Sequence, residues 1–179
     1  GGIALGSSNG VGISSSVIVS SGTTTALLAQ NAEITHSTSF SGKAHATQDI
    51  NAFGISAAGG GNNGVAGVAT VITSTNSVEA LLALNTSVVS TGNVTVAASN
   101  GFDTFSLAGG AAGGGSNGIG AAASVVTLDN ITRAALADGT SSADAVTIAA
   151  PGVVTISADA SETGKTFTAA GAAAGSNAV

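Results

Sequence analysis

Two short motifs of this chain have the residue types of a nucleotide-binding loop. Residues 59–64 and 113–118 both fit G-x-G-x-x-G, in which glycines let a pyrophosphate approach the start of a helix. The residues that follow each motif have the composition of a strand, and the motif recurs along the chain, so we interpret both copies as architecture. Residues 163–166 read T-G-K-T, but Asp159 occupies the position where a phosphate-binding loop needs its first glycine.

Two further motifs are of the kind found in hydrolases. Residues 6–10 and 114–118 both read G-x-S-x-G, which can place a nucleophilic serine on a sharp turn. Such a serine needs a neighbouring base, and the two histidines of the chain, His36 and His45, both lie in its first third. Asp49 aligns with Asp103 of the next repeat, which is more typical of solvated turns than of a catalytic pair. We predict no catalytic residue.

The side chains that could ligate a metal are scattered. His36 and His45 are nine residues apart, with Glu33 and Asp49 nearby, and residues of these types are usually solvated. Three other acidic residues lie close together in the sequence: Asp129, Asp138 and Asp144. The chain lacks the repeated G-G-x-G-x-D that supplies calcium ligands on every turn of some β-rolls. We predict no metal site and no bound cofactor, and leave calcium binding open.

Any site in this chain has to be positioned by a repeated architecture. Asn-Gly-Val or a close variant begins at Asn9, Asn63, Asn117 and Asn177, at spacings of 54, 54 and 60 residues. Repetition at a fixed period indicates stacked structural units. The longer last spacing predicts an insertion of six residues within residues 138–152, in a surface loop. We interpret the chain, 1–179, as a single solenoid fragment of a longer protein, with partial repeats at both ends and three units: 9–62, 63–116 and 117–176.

Composition excludes several classes of protein. Only 7% of the residues are charged, the net charge is −6, and the only permanent cations are Lys43, Arg133 and Lys165. Three scattered cations and five phenylalanines do not suit nucleic-acid binding. The absence of cysteine excludes a disulfide scaffold. Two long uncharged runs, residues 50–78 and 104–128, are interrupted by Gly, Asn, Ser and Thr, so we predict no membrane span.

The repeat has the pattern of strands. Residues 13–19, 65–73 and 119–127 are rich in β-branched side chains, and residues 94–96 alternate apolar and hydroxyl side chains at period two. A helical repeat is the competing architecture, but its glycine tracts would interrupt a helix at about 1 kcal/mol per glycine relative to alanine. We predict an all-β fold, a β-solenoid built from 54-residue repeats.

A weaker similarity inside each repeat relates residues 75–81 to residues 99–105. It favours two coils of about 27 residues per repeat, although three coils of about 18 residues would also divide the unit. At about 4.8 Å per coil, two coils per repeat would make this chain a rod segment roughly 30 Å long.

Small residues dominate one part of each repeat. Residues 57–64, 109–118 and 169–175 are almost all Gly and Ala, which predicts that the walls of the coil approach closely there. One large apolar residue precedes each tract, at Phe53, Leu107 and Phe167, and we predict that these fill the interior. The recurrent asparagines have two interpretations, a stacked amide ladder or a turn that needs positive φ before glycine, and both remain open.

The texture of the repeat is similar to that of a known group of proteins. Residues 115–127 read G-S-N-G-I-G-A-A-A-S-V-V-T, and residues 92–99 read G-N-V-T-V-A-A-S. With these units the chain resembles, over nearly its whole length, the Gly- and Ala-rich repeat regions of giant bacterial exoproteins, which are haemagglutinin-like or adhesin-like. This resemblance implies a secreted or surface-displayed β-solenoid that acts as a stalk, fibre or adhesin scaffold, located outside the cell or on its surface.

The resemblance leaves two alternatives. One is a repetitive surface-binding array, for ice or polysaccharide, although the isolated T-x-T steps at residues 23–25, 73–75 and 166–168 do not fall at equivalent places in the repeat. The other is a polysaccharide-acting β-helix enzyme. The partners that we expect are neighbouring repeats of the same longer chain, further copies through self-association into fibres, and a cell-surface or glycan target. We expect no nucleic acid and no membrane span.

Overall fold

The protein is all-β and consists mainly of very long parallel strands. A computed structural model describes residues 1–179, and it contains one short 3-10 helix, Ser142–Asp144, and no α-helix. The predicted strand segments 13–19, 65–73, 94–96 and 119–127 all lie in strands. The strands are β1 Gly2–Gly6, β2 Asn9–Leu28, β3 Glu33–Ser37, β4 Phe40–Gly60, β5 Asn63–Leu82, β6 Ser87–Ser90, β7 Val94–Gly114, β8 Asn117–Leu136, β9 Thr147–Ala149, β10 Val154–Ala174 and β11 Asn177–Ala178.

The strands form three stacked sheets, and all neighbours in each sheet are parallel. Sheet A has the order β1-β4-β7-β10, sheet B has β2-β5-β8-β11, and sheet C has the short strands β3-β6-β9. Asn63 pairs with Asn9 on one side and with Asn117 on the other, so equivalent residues of successive repeats lie side by side. The repeat seen in the sequence is therefore the pairing register of the sheets.

The prediction of two coils per repeat is wrong. Each long strand pairs with its equivalent in the next repeat, and no strand pairs with one that lies half a repeat away. Each repeat passes once through each of the three sheets. The similar segments 75–81 and 99–105 lie in sheets B and A, and they meet across the interior at Asn76 and Asn100 instead of stacking on each other. The Asn76 side-chain amide donates to the Asn100 amide oxygen at 3.1 Å.

The predicted insertion is confirmed and lies at one corner of the stack. Leu82 still pairs with Leu136 at the spacing of the earlier repeats, whereas Ser87 pairs with Thr147 at the longer spacing. The six extra residues therefore lie between Leu136 and Thr147, in the segment that contains the 3-10 helix. The backbone N–H of Asn85 donates to the backbone carbonyl of Asp144 at 2.9 Å, which holds this segment against the preceding repeat.

Sheets A and B face each other and enclose the core. In β5 and β7 the even-numbered side chains point inward and the odd-numbered ones point outward, as the period of a strand requires. The largest apolar cluster lies at the wide end, where sheet C closes the space between sheets A and B. Its buried members are Ala44, Val78, Ala80, Leu82, Val88, Val94, Val96 and Ala98.

At the opposite end the space between sheets A and B is narrow, because glycines there let the two backbones approach each other. A Cβ atom placed on Gly64 would lie 2.8 Å from the carbonyl carbon of Gly113, and one on Gly118 would lie 2.6 Å from the carbonyl oxygen of Ala173. These are contacts with the backbone of the facing sheet, which no side-chain rotation can relieve. The predicted close approach of the walls at the Gly and Ala tracts is confirmed.

The prediction that Phe53, Leu107 and Phe167 fill the interior is wrong. Phe53 and Phe167 are 58% and 54% exposed on the outer face of sheet A, and Leu107 lies between them in register. Each ring packs against Phe105, with 5.6 Å between ring centroids. Alternation along the strand leaves small residues facing inward there. A Cβ atom on neighbouring Gly54 would lie 2.7 Å from a Val68 methyl group, so the interior has no room for phenylalanine at this point.

The recurrent asparagines form a side-chain amide ladder along the narrow edge. Asn63 donates to Asn9 at 2.7 Å, Asn117 donates to Asn63 at 2.7 Å, and Asn177 donates to Asn117 at 3.0 Å. None of these four asparagines has positive φ, so the turn interpretation does not explain them. Positive φ occurs instead at Asn31, φ 63°, and at its equivalent in the next repeat, in the turns at the wide end.

The ladder predicts a graded effect of asparagine substitutions. Asn63→Ala removes two side-chain hydrogen bonds and leaves two partners unpaired, so we expect the free energy of unfolding to fall by about 1–3 kcal/mol. Asn177→Ala removes one bond at the end of the ladder and should cost about half as much. Urea denaturation followed by circular dichroism measures both. Equal effects of the two substitutions would contradict a stability contribution that scales with the number of ladder hydrogen bonds.

Candidate functional surfaces

The outer faces of sheets A and B carry rows of equivalent side chains. A row is here the set of residues that are paired in register on adjacent strands, such as Val17, Val71 and Val125. Neighbouring strands are about 4.8 Å apart, and outward residues of one strand are about 6.7 Å apart. Any ligand of these surfaces therefore meets a grid of side chains.

The half of sheet B nearest the narrow edge presents what we call the apolar face. It contains no charged residue, and Ile13 and Val17 are 73% and 66% exposed. Outward residues of three strands compose it: Val11, Ile13, Ser15, Val17 and Val19 of β2; Val65, Gly67, Ala69, Val71 and Thr73 of β5; Ile119, Ala121, Ala123, Val125 and Thr127 of β8. Exposed apolar patches that are contiguous in this way mark interaction surfaces.

The half of sheet B beyond the apolar face carries hydroxyl groups. Ser21 pairs with Thr75, and Thr23 pairs with Ser77, so four hydroxyl side chains form a block on two strands. The block borders a shallow cavity of about 330 Å³ that Asp129 also lines. The T-x-T steps at residues 23–25 and 73–75 do not align with each other in the sequence. Ser77 lies opposite Thr23 and Ser21 lies opposite Thr75, so serine supplies the hydroxyl groups that the threonines leave unmatched. This hydroxyl block was not expected from the sequence.

Sheet A brings together three residue types known from hydrolases. His45, Ser99 and Asp159 form one row, and the His45 Nδ1 atom lies 2.6 Å from the Ser99 hydroxyl oxygen. The Thr47 hydroxyl lies 3.3 Å from the other ring nitrogen of His45. Sequence reasoning missed this row, because it becomes visible only when the shorter and the longer repeat spacing are applied together.

This row does not have the arrangement of a nucleophilic serine site. Asp159 lies beside Ser99, on the side away from His45, so the carboxylate cannot orient the imidazole as a catalytic triad requires. Ser99 also belongs to a strand that is paired on both sides, which leaves no pair of free N–H groups to stabilise an oxyanion. The side chains of this row can donate hydrogen bonds to a polar ligand and accept hydrogen bonds from it.

The remaining candidate ligands of a metal do not gather into one cluster. No group of three or more His, Asp or Glu side chains is positioned to hold a metal ion. Asp49 and Asp103 are paired in register on the outer face of sheet A, and Asn51 donates to Asp49 at 3.0 Å. In the insertion, Asp144 accepts a hydrogen bond from the Ser141 hydroxyl at 2.8 Å.

The glycine-rich motifs form the stacked turns of the narrow edge. The backbone N–H of Asn62 donates to the backbone carbonyl of Ser8 at 2.8 Å, and the backbone N–H of Ser116 donates to the backbone carbonyl of Asn62 at 2.9 Å. Strands β5 and β8 follow these turns, where a nucleotide site needs the start of a helix. The amides that would bind a phosphate are therefore used to join one repeat to the next.

Comparisons with known proteins found no match: no family model, no curated protein and no solved structure matches this chain. The structure contains no helix of the length and apolarity needed to cross a membrane.

Proposed function

We propose that this protein is a structural scaffold, a β-solenoid whose coil is one whole repeat, and that it acts as a stalk, fibre or adhesin scaffold outside the cell or on its surface. The observation that carries the proposal is the common register of the three sheets. Every long strand pairs with its equivalent in the next repeat, over 20 consecutive residues in the case of β2 and β5. A motif repeated in this way builds length, whereas catalysis needs a single constellation of groups.

Backbone pairing supports the proposal energetically. Of 110 backbone hydrogen bonds, 90 lie within the regular elements. Each repeat adds a similar set of backbone hydrogen bonds to its neighbour, so stability grows approximately as a sum over repeats. A strand of about 20 residues is about 65 Å long, and each repeat adds about 4.8 Å along the stacking axis. The proposed scaffold is therefore broad across its strands, and each repeat lengthens it by only one strand spacing.

The proposed location rests on the resemblance, and the proposed partners rest on the repeat register and the outer faces. The resemblance to repeat regions of giant bacterial exoproteins supports a secreted or surface-displayed protein. Backbone pairing along the whole stack supplies stability without cysteine. In this proposal the stack pairs with neighbouring repeats of the same longer chain, and its outer faces present side chains to a cell-surface or glycan target.

A second candidate function is a surface-binding array for polysaccharide or ice, and the hydroxyl block favours it. Ser21, Thr23, Thr75 and Ser77 present hydroxyl groups on a grid of about 4.8 by 6.7 Å. A Thr23→Val, Thr75→Val double variant keeps the shape and removes two hydroxyl groups. Adsorption to ice or to insoluble polysaccharide is measured as depletion of the protein from solution. Loss of adsorption in this variant would support this function. Absence of adsorption by the original protein would exclude it.

The scaffold proposal is tested by adding repeats. Two or four extra copies of residues 63–116 are inserted after residue 116, where the repeats join at a stacked turn. We expect the stacking dimension to grow by about 10 Å and about 19 Å, because each copy adds one strand spacing of about 4.8 Å. Small-angle X-ray scattering and negative-stain electron microscopy measure this dimension. Growth of a compact globule in all directions, or unfolded extra copies, would contradict the proposal.

A further inference from the structure

We propose that the apolar face of sheet B is the interface through which two copies of this chain pair, face to face. The inference rests on the proposed scaffold function and names its partner as a second copy of the same stack. It goes beyond pairing between neighbouring repeats, because it joins two stacks side by side.

The first support is the composition of the apolar face. Its outward residues include eight valines and isoleucines and no charged residue, although the chain as a whole has a net charge of −6. Two such faces can therefore approach without charge repulsion. Burial of apolar surface contributes about 25 cal/mol per Å², and side chains such as Val17 have most of their surface available for it.

The second support is a depression next to a protruding side chain. Gly67 faces outward, and a Cβ atom placed on it would meet no atom within 4 Å. The depression has a volume of about 350 Å³ and is lined by Ile13, Val65, Ile119 and Ala121 among others. Ile13 pairs with Gly67 in register, so the largest side chain of this row stands beside its smallest.

A two-fold axis makes these features complementary. With the axis parallel to the strands and midway between β2 and β5, Ile13 of each copy lies over Gly67 of the other, and Val17 of each lies over Val71 of the other. A two-fold interface requires such reciprocal contacts. The packing matches that of two aligned sheets about 10 Å apart. Self-complementarity of this kind favours a second copy over an unrelated protein.

The size of the overlap predicts a weak dimer. Five outward residues on each of β2 and β5 cover roughly 30 by 10 Å, so two copies bury on the order of 600–900 Å² in total once side-chain relief is included. This is below the usual size of a stable specific interface. We therefore expect a reversible dimer with a dissociation constant on the order of 100–1,000 μM.

Sedimentation velocity of the full chain between about 10 μM and about 1 mM tests the inference, since this range spans the expected dissociation constant. We expect a monomer–dimer equilibrium that Val17→Lys abolishes across this range. Ile55→Lys is the matched control, since Ile55 is 59% exposed on the outer face of sheet A, and it should leave dimerisation unchanged. Gly67→Val adds apolar surface but fills the depression, so we expect dimerisation to weaken at least tenfold.

Three outcomes would overturn the inference: a monomer at every concentration, equal effects of the two lysine substitutions, or stronger association of Gly67→Val, which would indicate non-specific adhesion. Circular dichroism on the same samples separates this failure from failure of the scaffold proposal. A folded β protein that stays monomeric overturns only the pairing of stacks. Failure of the chain to lengthen with added repeats would overturn the scaffold itself.

Discussion

Gly64→Ala is expected to destabilise the protein by about 3 kcal/mol or more. The added methyl group would lie 2.8 Å from the carbonyl carbon of Gly113 and closer still to its oxygen. The obstructing atoms belong to the backbone of the facing sheet, so sheets A and B have to separate at the narrow edge. Overpacking of an interior usually costs about 1–3 kcal/mol when side chains can adjust, and here they cannot. Urea denaturation measures the loss.

Gly109→Ala is the matched control for this substitution. Gly109 lies in the facing strand, in the same Gly-rich region, but a Cβ atom on it would meet nothing within 4 Å. We expect the control variant to be as stable as the original protein or more stable by about 0.5–1 kcal/mol, because alanine restricts the unfolded chain. Equal destabilisation by the two substitutions would show that the sheets do not approach as closely as described.

Phe102→Ala is expected to cost about 3–5 kcal/mol, the range for removing a buried phenylalanine. Phe102 is 2% exposed and lies between sheets A and B. Phe53→Ala is the control and should cost no more than about 1 kcal/mol, since its ring lies outside and contacts Phe105 at the surface. Thermal unfolding followed by circular dichroism compares the two.

The same comparison decides which side of sheet A faces inward. A large loss for Phe53→Ala and a small one for Phe102→Ala would mean that the strands present the opposite face to the core. A shift of one residue in β4 and β7 would produce that result, because side chains alternate between the two faces of a sheet.

Much of the fold could be predicted from the sequence because it rests on equivalence between repeats. The spacing of Asn9, Asn63 and Asn117 is the pairing register of sheet B. The Gly and Ala tracts predicted the narrow edge, and the longer spacing before Asn177 predicted the insertion. These features follow from composition and period, and a sequence displays both directly.

Features that depend on how one repeat closes on itself could not be predicted. Residues 75–81 resemble residues 99–105, and a sequence alone does not show whether two such segments stack on each other or lie in facing sheets, as these do. The direction in which Phe53 points depends on a single step of strand register, which a tract of Gly and Ala does not specify.

The outer surfaces were predicted less well than the fold. The hydroxyl block and the row of His45, Ser99 and Asp159 each combine residues that are unremarkable within their own repeat. Only the register of the sheets brings them together. By contrast, the glycine-rich motifs were interpreted from the sequence as architecture, and they form the stacked turns of the narrow edge.

The central claim, that one repeat makes one pass through each sheet, is tested most directly with pairs of spin labels. The chain has no cysteine, so two can be introduced without background. Thr23→Cys with Ser77→Cys places labels on paired residues of adjacent strands, about 5 Å apart. Thr23→Cys with Asn51→Cys is the comparison, because two coils of about 27 residues would pair Thr23 with residue 50 and so bring Asn51 close to it. We predict strong spin–spin broadening in the electron paramagnetic resonance spectrum of the first pair and none in the second, and the reverse result would contradict the account.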